Sequence, residues 1–269
     1  MSDVKQVICI KWGAKYGADY VNRLYRMVAR NITPPFTFTA FTDDPDGLSP
    51  DIQVRDLPPL PAEMPVGTPG KWPKSRLWGA ELGGLSGPVL FIDLDVVILG
   101  SLDEFFSHGE PDDVILARNM AKPFHRLGQT SIYRFPVGKL APMQTIFAAD
   151  PQAIGTRYRY EQHFVTENAP GGVSFWPRSW VKHFRIQCVP PFPLNLFRDP
   201  PRPKSAKVVI FAGDLNPPDA VAGRWNAEDV HRPPLEHLTH ALRSGGGFKA
   251  VRSYVRPTKW VADEWSDMS

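Results

Sequence analysis

Val7-Ile8-Cys9-Ile10 is a continuous apolar run that stops at Trp12-Gly13, the pattern of a strand buried on both faces with a loop at its carboxyl end. The period then changes: between Ala18 and Arg30, Val21, Leu24, Tyr25 and Val28 fall at helical spacing. Phe36-Thr37-Phe38-Thr39-Ala40-Phe41 alternates and runs into Thr42-Asp43-Asp44-Pro45, so a second strand ends there. Strand, helix, strand is the opening of a parallel sheet. Residues 52–57 predict a third strand, 58–70 a Pro/Gly-rich loop, 74–82 a helix, and 89–93 the most apolar strand of the chain. Ser101 is placed to cap a short helix over 102–107, with Asp103 and Glu104 in its first turn. Further strands are expected at 114–117, 131–135, 184–188 and 208–212. The chain therefore reads as α/β, with an open sheet and a more irregular second half. A late helix follows Pro233-Pro234, and Leu235, Leu238 and Leu242 on one of its faces, with Trp260 and Trp265 beyond, are expected to pack the C-terminal segment inward.

Composition narrows the chemistry. With 269 residues and 42% apolar content the chain can bury a sizeable core. A net charge of +3, from 31 Lys and Arg against 28 Asp and Glu, is too small for a nucleic-acid footprint and suits a phosphorylated small molecule better. The 29 prolines argue for long ordered connections. Cys9 and Cys188 lie in apolar runs and read as small buried hydrophobes, without a cysteine-type zinc site. No signal-peptide pattern opens the sequence, and no stretch is apolar for the length of a bilayer, so a reduced cytoplasmic chain is the expectation.

Asp93 and Asp95 carry the most specific signal. Residues two apart on an extended strand face the same side, so both carboxylates can address one point. Two carboxylates at the end of a buried strand are costly unless the charges are paired or hold a cation. Their oxygens suit Mg²⁺ or Mn²⁺, which in turn neutralise a nucleotide diphosphate. Asp-x-Asp alone is common in surface turns; its place between Val89-Leu90-Phe91-Ile92 and Val96-Val97-Ile98-Leu99 sets this one apart.

The set Ile10-Lys11-Trp12-Gly13 with Tyr16-Gly17, Phe41-Thr42-Asp43-Asp44, Trp72-Pro73-Lys74, Phe91-Ile92-Asp93-Leu94-Asp95, Glu161-Gln162 and Phe211-Ala212-Gly213 resembles bacterial glycosyltransferases of the GT-A fold related to glycosyltransferase family 8, through most of residues 4–220. The resemblance implies a Rossmann-like, mostly parallel central sheet flanked by helices, with an irregular acceptor-side segment near 155–203. It divides the chain into a transferase domain over 1–225 and a helical extension over 226–269 packed on it. Lys11, Trp12 and Gly13 would cradle the nucleoside, Thr42 and Asp43 or Asp44 would contact base or ribose, and Lys74 would reach the phosphates. Asp93 would touch ribose or metal and Asp95 would ligate the metal, Mn²⁺ or Mg²⁺. Glu161 and Gln162 would be the catalytic pair near the transferred sugar, with Glu161 orienting the acceptor hydroxyl or stabilising positive charge at the anomeric carbon. The implied donor is a nucleotide-diphosphate sugar with uridine as the favoured base, and the acceptor a saccharide or lipid-linked molecule of bacterial surface polysaccharide synthesis. The resemblance favours retention of anomeric configuration and allows peripheral membrane association. Family members commonly carry a metal-binding His where this chain has Ala212, and Asp214, two residues on, is the candidate replacement.

Two other readings share these residues. Phe91-Ile92-Asp93-Leu94-Asp95-Val96-Val97, with Gly213-Asp214 and Asp219, also resembles haloacid-dehalogenase-like phosphohydrolases, in which Asp93 would be a nucleophile and Asp95 a general acid. Against it, that motif usually opens its chain, whereas here a strand-helix-strand unit precedes it. Ala212 also admits a noncatalytic nucleotide-sugar binder.

Overall fold

The apolar run at 7–10 forms the middle of the first strand, β1 (Lys5–Lys11), and the helical period that follows becomes α1 (Ala18–Asn31). The computed structural model describes residues 4–266. In chain order come β2 (Phe36–Thr42), β3 (Gln53–Asp56), β4 (Pro88–Ile92), β5 (Val96–Ile98), α2 (Asp103–Ser107), β6 (Ile115–Arg118) and β7 (Gly128–Pro136). They are followed by α3 (Ala141–Ala149), α4 (Pro151–Tyr158), α5 (Glu161–Asn168), β8 (Ser174–Phe175), β9 (Val181–His183) and β10 (Val208–Ile210). The last elements are α6 (Pro217–Ala222), α7 (Pro234–Arg243), α8 (Gly247–Arg252) and α9 (Lys259–Trp265). The chain divides into two compact units, one comprising residues up to Leu94 with Ser101–Arg178, the other Asp95–Gly100 with Ser179–Ser269. Residues 226–266 thus belong to the same unit as 179–225.

The first unit is built on a seven-stranded sheet of order β3-β2-β1-β4-β7-β6-β8. β1 pairs with β2 in parallel from Lys5 opposite Phe36 to Lys11 opposite Thr42, and β4 pairs with β1 in parallel on its other side. β7 is the reversed strand, antiparallel to both β4 and β6. The alternation of strand and helix patterns predicts an open α/β sheet, and this one is largely parallel and helix-flanked, as the resemblance implies. Val21, Leu24, Met27 and Val28 bury the inner face of α1, while Asp19 and Arg30 sit at the ends that suit its dipole. Tyr25, expected on the buried side, is half-buried and meets Phe38 edge-on at 5.5 Å.

The core that Ile8, Ile10, Phe41 and Phe91 form on the sheet continues into an aromatic cluster, where Trp72 stacks on Phe147 at 5.1 Å and Trp78 contacts Phe147 and Phe164. The helix expected over 74–82 is instead a 3-10 turn, Trp72–Trp78. Trp72, Lys74, Ser75, Leu77 and Trp78 are all buried, so the segment has no polar face to offer solvent as an amphipathic helix would. The Pro/Gly-rich loop ahead of it is closely packed as well: a β-carbon on Gly155 of α4 would come within 2.7 Å of Pro65. Arg134 of β7 is buried and donates to the carbonyls of Phe105, Phe106 and Glu110, closing the C-terminal end of the short α2 with a fixed positive charge.

The second unit holds a three-stranded sheet of order β5-β10-β9. β10 is antiparallel to β5, with Val96 opposite Ile210, and parallel to β9, with His183 beside Ile210. The strand expected at 184–188 is a single π-helical turn, and the true strand is the three residues before it. The Gln187 side chain accepts the His183 N–H at 2.9 Å, and the Val189 N–H reaches back to the Phe184 carbonyl at 3.1 Å, so the chain coils although its side chains alternate. Asn216 and Asp219 form a reciprocal capping box on α6, and Asp219 pairs with Arg224 at 2.7 Å. Val261 and Trp265 of α9 are buried, whereas Leu235 and Leu242 of α7, expected to pack inward, are exposed. Both thiols are buried; the Cys188 thiol is pushed up to about 12 by burial. Among the described residues no helix is long and apolar enough to cross a membrane.

Candidate active site

In an open parallel sheet, ligands collect outside the carboxyl ends of strands where the strand order reverses. Here that point lies between β1 and β4: the chain winds outward through β1, β2 and β3, then returns to lay β4 on the opposite side of β1. Because Ile8 stands beside Phe91, Lys11 and Asp93 emerge at the same edge of the sheet.

Two groups of expected site residues come together there. In the first, the buried Lys11 ammonium donates to the Asp44 carbonyl at 3.2 Å and carboxylate at 3.1 Å, and that bond, with one from the Asp46 N–H, holds the Asp44 carboxyl below the usual range. The Thr42 hydroxyl donates to the Asp44 carbonyl and accepts its N–H. Gly13 takes a positive φ of 61°, open to glycine, and its N–H donates to the Asp43 carboxylate at 3.0 Å. Trp12 is half-buried and packs against the core. Lys11, Gly13, Thr42 and the Asp43-Asp44 pair are therefore one hydrogen-bonded rim across the ends of β1 and β2.

The second group surrounds Asp93. The Lys74 ammonium lies 2.7 and 2.8 Å from its two carboxylate oxygens, 3.3 Å from the Thr130 carbonyl and 5.1 Å from the Phe91 ring centre. The Asp93 N–H donates to the Ser131 carbonyl at 2.8 Å, fixing its backbone to β7. The Thr130 hydroxyl in turn donates to Glu161 at 2.9 Å, and the other Glu161 oxygen accepts the Lys71 N–H at 3.1 Å. Glu161, at the first position of α5, is buried rather than a solvated helix start. Asp93, Lys74, Thr130 and Glu161 thus form a continuous polar chain. Burial and the Asp93 charge push the Cys9 thiol up, and burial with Asp93 and Glu161 does the same to the Tyr133 phenol, so neither ionises near neutral pH. Gln162 is half-buried beside Glu161, its carbonyl accepting the Thr166 hydroxyl at 2.6 Å.

Asp95 and Asp214 lie in the second unit. Val96 opposite Ile210 means that Asp95, just before β5, and Phe211-Ala212, just after β10, leave the small sheet at one end, with the exposed Asp214 two residues on. Gly213 has φ 98°, and a β-carbon there would approach the Arg185 guanidinium to 3.5 Å. Among the described residues no three His, Cys, Asp or Glu side chains are grouped to hold a metal ion. Sequence reading passes over Thr130, Lys71 and Arg185. Thr130 is one residue outside the expected strand at 131–135, and its polar run Gln129-Thr130-Ser131, buried in β7, gives no apolar signal.

No family model matches the chain, and no curated protein sequence is similar to it. Solved structures are. The galactosyltransferase LgtC in complex with donor and acceptor sugar analogs is 13% identical, with TM-score 0.57, over 83% of this chain and 90% of that one. The WbbM bifunctional glycosyltransferase is 15% identical, with TM-score 0.55, over 85% of this chain and 48% of that one. The glycosyltransferase GlyE of Streptococcus pneumoniae TIGR4 is 11% identical, with TM-score 0.55, over 85% and 58%. At these identities the likeness is one of fold, and the fold is that of the GT-A glycosyltransferases.

Proposed function

We propose that the chain is a glycosyltransferase that takes a nucleotide-diphosphate sugar, with uridine as base, and passes the sugar to a saccharide or lipid-linked acceptor in bacterial surface polysaccharide synthesis. The observation that carries this is the Lys74-Asp93 pair at the carboxyl end of β4, beside the switch point of a GT-A sheet. Lys11, Trp12, Gly13, Thr42 and Asp43 form the nucleoside side, where the Lys11-Asp44 and Gly13-Asp43 bonds fix the two loops before a ligand arrives. Lys74 holds Asp93 in place for the donor's ribose and remains a point charge for its phosphates. Glu161 acts as a positioning residue, holding the Lys71–Lys74 turn through Thr130 and the Lys71 N–H, and Gln162 is the neighbouring group for the transferred sugar.

Asp95 and Asp214 are hard oxygen donors at one end of the small sheet, and Ala212 between them in the motif supplies no ligand. That donor set suits the hard cations Mn²⁺ or Mg²⁺, which one or two carboxylates with several waters would hold. The chemistry such an ion would supply is stabilisation of charge on a departing diphosphate.

Calorimetry of the full chain with a panel of nucleoside diphosphates, with and without Mn²⁺, tests the reading. Selective uridine diphosphate binding that Asp93→Asn weakens supports it. Turnover of an artificial phosphate ester abolished by Asp93→Asn, without nucleotide binding, would replace it with the phosphohydrolase.

A further inference from the structure

Residues 119–127, which join β6 to β7, leave the sheet at the edge where Asp93 emerges. β7 is antiparallel to β4, so it begins where β4 ends, and Ser131 near its start accepts the Asp93 N–H. The connection is tied to itself and to its neighbours. The Asn119 N–H donates to the Leu127 carbonyl at 2.9 Å and closes the base, while the His125 N–H donates to the Lys122 carbonyl at 3.0 Å and tightens the tip. The Gly128 N–H donates to the Thr166 hydroxyl of α5 at 3.0 Å, at a point where a β-carbon would come within 2.9 Å of that oxygen. On the other side Arg126 donates to the Val173 carbonyl at 2.6 Å, and the Arg118 and Arg126 guanidiniums lie 4.4 and 5.2 Å from the Phe175 ring centre.

What this loop offers is one ring among cations. Phe124 is 99% exposed, and among the described residues no large apolar side chain is more so. Lys122, His125 and Arg126 around it are exposed too, and no Asp or Glu occurs between Asp113 and Asp150. The tip is within electrostatic reach of α5: burial, and after it the Lys122 charge, hold the imidazole of His163, the residue after Gln162, below its usual range. The acids of α5 are engaged elsewhere, Glu161 by Thr130 and the Lys71 N–H, Glu167 by Arg157 at 3.8 Å. The positive charge of the loop is therefore open to a ligand.

We propose, resting on the transferase reading above, that the loop 119–127 selects the acceptor and that the acceptor is an anionic saccharide. A pyranose carries a face of C–H bonds that lies flat on the Phe124 ring, and its carboxylate or phosphate takes charge-assisted hydrogen bonds from Lys122 and Arg126. Six residues separate Phe124 from Thr130, an extended reach of about 20 Å at most, so a short oligosaccharide held on the ring can extend to Glu161 and Gln162. This element lies outside the irregular segment 155–203 to which the resemblance assigns the acceptor. A protein partner fits less well: the centre of a protein interface is apolar and depleted of lysine, whereas Phe124 is the one large apolar side chain of the exposed tip and stands between cations.

The test is saturation-transfer NMR on the full chain, with uridine diphosphate present, using methyl β-glucuronide, glucose 6-phosphate and the neutral methyl β-glucoside. The glucuronide or the sugar phosphate should bind about tenfold more tightly than the glucoside, and the tighter of the two identifies the anion. Phe124→Ala should weaken every probe about tenfold with an unchanged thermal melt, since the ring is already exposed. Lys122→Gln should weaken the charged probes and leave the glucoside as it was. No binding of any probe, equal binding of charged and neutral probes, or binding undiminished in both variants would overturn the inference. So would light scattering that finds a dimer which Phe124→Ala dissociates. Uridine diphosphate calorimetry on the wild type keeps the two readings apart: nucleotide binding with no saccharide binding overturns the acceptor loop alone. Anionic saccharide binding that Phe124→Ala weakens, without nucleotide binding, overturns the donor reading and supports the loop as a saccharide site.

Discussion

Replacing Lys74 by methionine keeps most of the side-chain volume and removes the ammonium that both Asp93 oxygens face. The Lys74 side chain is 7% exposed and that of Asp93 19%, so the pair is largely shielded from water but not sealed. Breaking a fully buried ion pair from one side costs about 3–5 kcal/mol, because the remaining charge is stranded, and the partial opening at Asp93 puts Lys74→Met near about 3 kcal/mol. Asp93→Asn should cost less, about 2 kcal/mol, since the amide oxygen still accepts from Lys74 and the ammonium keeps the Thr130 carbonyl. In the double variant no stranded charge is left, so its loss should fall well short of the sum, with a coupling of about 2 kcal/mol. Urea denaturation of the wild type, both single variants and the double variant measures the cycle. The donor site adds a second readout: nucleotide binding should be weakened in all three variants, including the double variant, whose loss of about 3 kcal/mol is no larger than that of Lys74→Met alone. A coupling below about 0.5 kcal/mol would show that the pair is a surface contact and remove the reasoning built on it.

His183 on β9 is buried, and burial with the Arg185 charge lowers its pKa to about 4, against 6.5 ordinarily. Because the folded value is depressed, the unfolded chain binds the extra proton between pH 6.5 and 4. Stability is therefore full above 6.5 and falls with pH toward 4, by about 3 kcal/mol in all; a His183→Gln variant, followed by urea titration at pH 7.5 and 5, should lack that component, and an equal pH loss in both proteins would refute the assignment. Glu161→Gln places an amide group against the Lys71 N–H or the Thr130 hydroxyl and should cost about 1–2 kcal/mol. Its kinetic effect should appear in the donor KM more than in kcat; a loss confined to kcat would make Glu161 a catalytic group instead. Ala212→His supplies the imidazole that the transferases it resembles commonly carry there, and Mn²⁺ affinity measured by electron paramagnetic resonance should rise about tenfold or more; unchanged affinity would exclude that end of the small sheet as the metal's place.

The first half of the fold is legible because each element has one dominant period: β1, α1 and β2 appear within a residue or two of their expected bounds. Legibility fails where burial is two-sided or a side chain redirects the backbone. Trp72–Trp78 is buried all round and tightens to a 3-10 turn, and Gln187 draws 184–188 into a π turn from an alternating sequence. The helices α3, α4 and α5 carry readable signals, such as Asp150 capping the Ala153 N–H ahead of Pro151, but each is too short to establish a period. At the site, Lys11, Gly13, Thr42 and Asp43 could be expected together because consecutive parallel strands end side by side. The Lys74-Asp93 and Glu161-Thr130 contacts could not, since both depend on how a turn and a helix fold back over β7.

β5 has a consequence for how the protein is made. Val96, Val97 and Ile98 are fully buried in the finished sheet, yet their partner strand β10 follows about 110 residues later in the chain. On a ribosome working from the N-terminus, that gap is several seconds of synthesis during which three apolar residues await a strand that does not yet exist. The small sheet therefore closes last, through a contact of high sequence separation. The six-residue segment from Asp95 to Gly100, which contains β5 and is bracketed in sequence by the first unit, must stay unpaired until then. Substitutions that make this strand longer or more apolar should show first as aggregation of nascent chains, well before any change in the stability of the completed molecule.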